Sequence, residues 1–379
     1  MANTQRIAVV GAATRGASFF QGIQSHPQAD LYALCDRNMD GFTTPDGNYI
    51  KGLREVASEA GVERIYEDYE TMLDHAKPDV VVVGTPMNFH VPHSIMALER
   101  DMSVVCEVPV GVSIEECKQL VQVVKKSRGQ YMMAENYCYI RENALVHEIA
   151  QKGLFGELYF AEGEYIHELK DGTIHTPWRR TWQTGINGCT YPTHSLGPVL
   201  QWFKQRVVSC CGFGTGHHYK DWYGKTFENE DSTFMPCRLE KGGLVNVRLD
   251  MISDRPHNLT YYSLQGTDGC YEAPRGLGDE PKIWLREKHG SELNWHPLSE
   301  LEQEFLPEKW FSLSDEAKSA GHWGGDYMVM MDFIDAIEQG TQPPIDIHFA
   351  LDMTLPGLVS QQSIQQGSAW LPVPDSRSW

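Results

Sequence analysis

Six residues near the start of the chain, Gly11-Ala12-Ala13-Thr14-Arg15-Gly16, follow a short apolar run and open a stretch with helical spacing. In such a turn the first glycine permits a tight reversal and the last permits close packing of helix on strand. The helix N-terminus between them can hold a pyrophosphate. Where a further glycine usually stands this chain has Ala13, still small enough to leave the pyrophosphate room. Alone, the spacing describes an ordinary strand–helix turn equally well. Asp36 adds to it. It ends the next apolar run, 25 residues after Gly11, where an acid receives the hydroxyls of an adenosine ribose. Gly11, Ala13, Thr14, Arg15, Gly16 and Asp36 therefore read as a dinucleotide site. The acid favours NAD over NADP by repelling a 2′-phosphate, while Arg37 beside it pulls the other way, since a guanidinium can partner that phosphate.

A second group of residues could move protons or grip a polar substrate. His194 stands in a loop-like stretch, Tyr191-Pro192-Thr193-His194-Ser195-Leu196-Gly197-Pro198, and reads as a base or as a satisfied structural histidine. Tyr137 falls just after the last apolar run of the first third, at the edge where open α/β sheets bind ligands; packing between domains is its other reading. Tyr191 could orient a substrate or relay a proton. Trp178 and Arg179 suit a stacking wall with a hydroxyl clamp, although a packed tryptophan under a snorkelling arginine would look the same. His167 and His322 stand open between edge-of-site and structural roles. No metal set is legible: His217-His218 reads as a loop pair, and the nine cysteines contain no C-x-x-C.

Two kinds of element must position these groups. Over the first ~135 residues short apolar runs alternate with helical patterns, as in a parallel sheet with crossover helices. Strands are expected at Ile7–Val10, Leu31–Cys35, Val80–Gly84, Val104–Glu107 and Tyr131–Glu135. Helices are expected at Asp68–His75 and Val91–Arg100, and from a capping box at Ser113 and Glu116 to about Lys126. Later strands, Leu158–Ile166, Leu244–Met251 and Asn258–Leu264, mix polar and apolar residues like an antiparallel sheet with one wet face. The loop-rich stretch Lys170–Tyr191 lies between them, and helices follow at Asp326–Gln339 and from near Phe349. The expected fold is α/β: a doubly wound parallel sheet over residues 1–138, then an α+β domain with a largely antiparallel sheet over 139–379.

The bulk composition fits. At 379 residues the chain suits two domains, and 41% hydrophobic with 22% charged residues is a globular profile. A net charge of −19 disfavours nucleic acid and anionic membranes as partners. The unpaired cysteine pattern and the lack of an apolar leader point to a reducing, cytoplasmic setting.

Three further segments carry a resemblance. Thr85-Pro86-Met87-Asn88-Phe89-His90 and Cys106-Glu107-Val108-Pro109 resemble the T-P-N-x-x-H and C-E-K-P signatures of the Gfo/Idh/MocA oxidoreductases. The resemblance places Thr85, Asn88, His90, Glu107 and Asn136 beside the cofactor, with Glu107 approaching the nicotinamide ribose. Where that family usually has an acid/base lysine this chain has Val108, which would face substrate but cannot carry a proton. The string Tyr191-Pro192-Thr193-His194-Ser195-Leu196-Gly197-Pro198 is similar to a branch of NAD-dependent glycoside hydrolases typified by bacterial α-N-acetylgalactosaminidases. Glu135-Asn136-Tyr137, Tyr165-Ile166-His167 and Gly321–Tyr327 resemble its other recurring segments.

That resemblance implies a redox-neutral hydrolysis: oxidation at sugar carbon 3, loss of the acidified carbon-2 proton with expulsion of the anomeric group, water addition and re-reduction. His194 is then the leading acid/base group, assisted by Tyr137 and Tyr191. A net sugar or polyol dehydrogenase would use the same fold, and a non-catalytic NAD-binding regulator would fit Val108. The partner is a small glycoside or sugar, with a second sheet face free to pair into a dimer or tetramer.

Overall fold

A computed structural model describes residues 4–174, 176–256, 259–276 and 278–379. Six strands form the first sheet: β1 (Gln5–Val10), β2 (Ala29–Cys35), β3 (Ile65–Tyr66), β4 (Val80–Val83), β5 (Ser103–Cys106) and β6 (Tyr131–Met133). All pairings are parallel and the spatial order is β3-β2-β1-β4-β5-β6. This is the doubly wound order, whose reversal between β1 and β4 opens a crevice at the carboxyl ends of the strands. Burial on both faces explains the four valines of β4, none of which reaches solvent. The capping box forms in full, Ser113 accepting from the Glu116 amide while that carboxylate reaches back.

Two features of this half are not in the sequence reading. The turn after Gly11 leads into a 3-10 segment, Arg15–Phe19, before the α-helix Phe20–Ser25. Short β3 and the helix Leu53–Ala60 add a layer at the outer edge.

Among the described residues the second sheet has ten strands. Along its path lie His296–Pro297, Lys282–Leu285, Gly269–Glu272, Thr260–Gly266, Leu158–Ile166, Leu244–Asp250, Thr233–Leu239, Val207–Cys210 and Leu371–Pro372, with Phe213–Gly214 paired at the side. Pairing is antiparallel apart from Leu158–Ile166 beside Leu244–Asp250. The strand expected over 258–264 runs Thr260–Gly266, and Asn258 lies outside the described residues.

Three helices tie the halves together. Helix α1 (Thr193–Phe203) lies on the sheet and buries Trp202. Helix α2 (Gly325–Gln339) packs on Phe20–Ser25, and α3 (Ile347–Gln365) packs on β6 and on the helix Ile114–Val124. The Met133 amide donates to Ile345 O at 3.0 Å, so the edge strand of the first sheet is covered. All nine cysteines are free thiols. Among the described residues, no helix is long and apolar enough to cross a membrane.

Candidate active site

The carboxyl edge of the first sheet gathers most of the residues expected to hold a dinucleotide. Gly11 turns with φ +78°, and a Cβ there would stand 2.4 Å from Gly84 O, so only glycine lets the loops after β1 and β4 meet. Asp36 Oδ2 accepts from the Ala13 amide at 3.0 Å and Oδ1 from the Asn38 amide at 2.9 Å, which fixes the acid at the mouth of the turn. Thr14 and Arg37 lie exposed beside it. Thr85 Oγ1, Asn88 Oδ1 and Asn136 Oδ1 are buried acceptors without a protein partner. Such atoms cost free energy unless something satisfies them. A glycine cradle and a fixed acid at the carboxyl ends of the strands, with three unpartnered buried oxygens in the loops that follow β4 and β6, fit a bound dinucleotide.

His90, Arg15, Glu107 and Asn136 also make contacts within the protein. His90 faces Pro109 O at 2.7 Å and Thr85 O at 2.9 Å through its two ring nitrogens, so it braces the loops after β4 and β5. Arg15 is held by Glu107 at 2.6 Å and by both oxygens of Asp326 at 2.6 and 2.7 Å. Asp326 also accepts from Asn136 Nδ2 at 2.8 Å and lies 3.0 Å from His322 Nδ1. Burial opposes ionisation of Asp326, but the Arg15 and His322 hydrogen bonds and charges outweigh it and hold the carboxyl well below its usual range. This buried ionic knot joins the glycine turn, the end of β5 and the start of α2.

The proton-handling residues also come together. His194 is 4% exposed and sits in the first turn of α1, not in a loop. Its Nδ1 lies 2.7 Å from Oε1 of the fully buried Glu135, which follows β6 and caps the 3-10 turn Asn136–Tyr139. A carboxylate accepts, so this nitrogen carries the hydrogen and Nε2 is left facing the cluster. The rings of Tyr137, Tyr165 and Tyr191 surround the imidazole at 4.2, 4.8 and 5.2 Å between centroids. Burial pushes all three phenols well above their ordinary value. They therefore keep their protons at neutral pH and can donate hydrogen bonds.

Local chain geometry places the imidazole. Pro198 lacks the amide that would bond to the carbonyl of residue 194, and the Tyr262 hydroxyl takes that carbonyl instead at 2.5 Å. At Gly163, on the strand below, a Cβ would lie 2.1 Å from Ser195 O, so the missing side chain lets α1 rest directly on the sheet.

The remaining expected residues line the surroundings. Val108 is buried, and the His167 ring stands 5.8 Å from that of Tyr165. Arg179 lies over Trp178 at 4.6 Å and bonds to Gln183 in a short helix, Pro177–Trp182. His322 stands 5.9 Å from Tyr137. His218, read as part of a loop pair, is held at 2.7 Å by Asp231. Glu135, Tyr165 and Asp326 were not singled out from the sequence. Glu135 carried a signal, being a lone charge ending the apolar run Tyr131–Ala134.

Comparison with known proteins agrees with the fold. Residues 5–135 match the oxidoreductase family with the NAD-binding Rossmann fold, and residues 213–378 match the glycosyl hydrolase 109 C-terminal domain. A glycosyl hydrolase family 109 protein of Saccharopolyspora erythraea is 27% identical across 98% of this chain and 83% of its own. An alpha-N-acetylgalactosaminidase of Shewanella oneidensis is 27% identical across 98% of this chain and 84% of its own. Among solved structures, an oxidoreductase domain protein from Kribbella flavida superposes with a TM-score of 0.81 at 18% identity, covering 99% of this chain and 100% of that one.

Proposed function

We propose that this chain, whose residues 5–135 match the Gfo/Idh/MocA oxidoreductase model and whose residues 213–378 match the glycosyl hydrolase 109 C-terminal domain, is a glycoside hydrolase using tightly held NAD in a transient redox cycle. The observation that carries this reading is the buried pair His194–Glu135 inside a ring of protonated tyrosines, with the buried Val108 at the position that the resemblance gives to a carbinol base. Ordinary glycosidases set two carboxylates across the bond. Here the carboxylates that follow β5 and β6 are committed, Glu107 to Arg15 and Glu135 to His194.

NAD, held by the glycine turn and Asp36, would supply hydride acceptance and return at the third carbon of the sugar, chemistry that would acidify the proton on carbon 2. His194 Nε2 then removes that proton, and Glu135 steadies the imidazolium that results, the arrangement that serves catalytic histidines elsewhere. The phenols of Tyr137, Tyr165 and Tyr191 donate to the oxygen on which negative charge develops. With the carbon-2 proton gone the anomeric substituent leaves, water adds, and His194 returns a proton. Arg179 and Trp178 act on the hydroxyls and face of the ring.

Asp36 at the ribose end supports NAD over NADP. The open face of the second sheet presents Phe213 and Phe234, which supports pairing with a second copy. Nine free thiols support a cytoplasmic location.

The test is isotopic. Product formed in heavy water should carry deuterium at carbon 2, substrate labelled at carbon 3 should keep its label, and reduced nicotinamide should not accumulate. A deuterium-free carbon 2 with one reduced cofactor per sugar consumed would replace the hydrolase by a dehydrogenase.

A further inference from the structure

Beside the His194 cluster lies a cavity of about 880 Å³, within the size range of ligand sites. Four lining residues join it to the candidate active site. Tyr262 donates its hydroxyl hydrogen to His194 O, and Asn143 Nδ2 donates to Tyr137 O at 2.9 Å. Thr260 is the register partner of Tyr165, and Trp323 follows His322.

The backbone at the mouth is strained. Leu259, His322 and Trp323 hold φ values of +64°, +53° and +54°, a region that bulky side chains rarely adopt and that gathers at ligand sites. The twist at 322–323 sends His322 inward to Asp326 and leaves Trp323 59% exposed over the cavity. Phe311 is a second exposed aromatic in the lining.

The chemistry of the walls narrows the occupant. Arg141 is held by Glu302 and lies over Phe311, while Glu142 and Lys318 bring opposite charges. Mixed charge gives a polyanion no field to bind, and an aliphatic chain would desolvate Glu142 and Lys318 without compensation. A pyranose fits both demands, its C–H face on an aromatic ring and its hydroxyls on the polar neighbours. The tyrosines around His194 are buried, and the cavity adjoins them through the Tyr262 and Asn143 hydrogen bonds.

Resting on the hydrolase reading above, we infer that this cavity is the leaving-group subsite and receives a second, neutral sugar stacked on Trp323. The cleaved sugar, once found by a glycoside panel, is presented as its methyl glycoside, its nitrophenyl glycoside and a disaccharide. The ratio of kcat/KM for disaccharide over methyl glycoside should fall roughly tenfold in Trp323→Ala, the size of a lost stacking contact, and recover largely in Trp323→Phe. An unchanged ratio overturns the proposal. So does a nitrophenyl glycoside that gains over methyl as much as the disaccharide and is equally sensitive to Trp323, since the site would then be merely apolar. If no glycoside is turned over, the hydrolase reading fails separately. Saturation-transfer NMR with free galactose and glucose then decides the cavity: signals in the wild type that vanish in Trp323→Ala support a sugar site, and none in the wild type overturns it.

Discussion

Replacing Gly163 by alanine tests whether His194 acts from the place where α1 holds it. A Cβ at 163 would stand 2.1 Å from Ser195 O and 2.9 Å from its carbonyl carbon, whereas real Cβ contacts essentially never fall under 3.0 Å. Strand and helix must part by at least about 0.9 Å, because the opposing atoms are backbone and have no rotamer to yield. Overpacking of this kind costs ~1–3 kcal/mol of stability. The same displacement carries His194, next to Ser195 in the helix, away from the carboxylate that holds its Nδ1 at 2.7 Å. A misplacement of about 1 Å costs on the order of 100-fold in rate. Calorimetry should show a folded Gly163→Ala protein with a lowered melting temperature and unchanged NAD affinity, since the glycine turn belongs to the other sheet. Turnover should fall on the order of 100-fold. A destabilised variant with wild-type turnover would show that helix position does not set the base, and wild-type stability would refute the packing argument itself.

Two more substitutions address the buried charges. Glu135→Gln keeps the shape but removes the charge that steadies a protonated His194, so turnover should drop ~10- to 100-fold; His194→Ala should lose ~100- to 10,000-fold. Steady-state kinetics showing Glu135→Gln at wild-type turnover would dissolve the pair as a catalytic unit. Asp326→Asn leaves the buried Arg15 with Glu107 alone among its two carboxylate partners and should cost ~3–5 kcal/mol in denaturant unfolding; a loss under ~1 kcal/mol would remove the knot from the account of stability. The pH dependence follows from the sign of the shift. The folded carboxyl of Asp326 is held below its unfolded value, so its contribution is complete above about pH 4 and fades as pH falls from there through the folded value. Stability of Asp326→Asn should therefore decline less steeply in acid than that of the wild type, and parallel curves would contradict the shift.

The parallel half was legible because burial on both faces leaves uninterrupted apolar runs, and β1, β2, β4, β5 and β6 stand within about two residues of where those runs predict them. Short β3 has only Ile65 and Tyr66 to declare it, too few for a period. Helix α1 was hidden by its own Gly197 and Pro198, which read as loop residues; Tyr262, 64 residues beyond Pro198, supplies the hydrogen bond that makes the proline tolerable. The candidate site was half legible for the same reason. Motifs name residues along the chain, so His194, Tyr137 and Tyr191 were visible as types. The partners that give them chemistry are remote: Glu135 lies 59 residues from His194, and Asp326 lies 311 from Arg15. Only folding brings those pairs together, and only folding shows that Arg15 joins the knot and that His90 braces two loops.

The return of α2 and α3 to the first sheet has a consequence for biosynthesis. A polypeptide emerging from the ribosome presents β1 to β6 long before residues 325–365 exist to cover them. Until Ile345 arrives, the Met133 amide on the outer strand has no carbonyl to meet, and the apolar surface beneath α3 stays wet. The nascent nucleotide-binding half is thus a cohesive but sticky intermediate, with an open strand able to recruit its neighbour on the same polysome. Supplying residues 325–379 in trans to a truncated chain would be a direct way to relieve that exposure, and chaperone dependence should track how long translation of the intervening 190 or so residues takes.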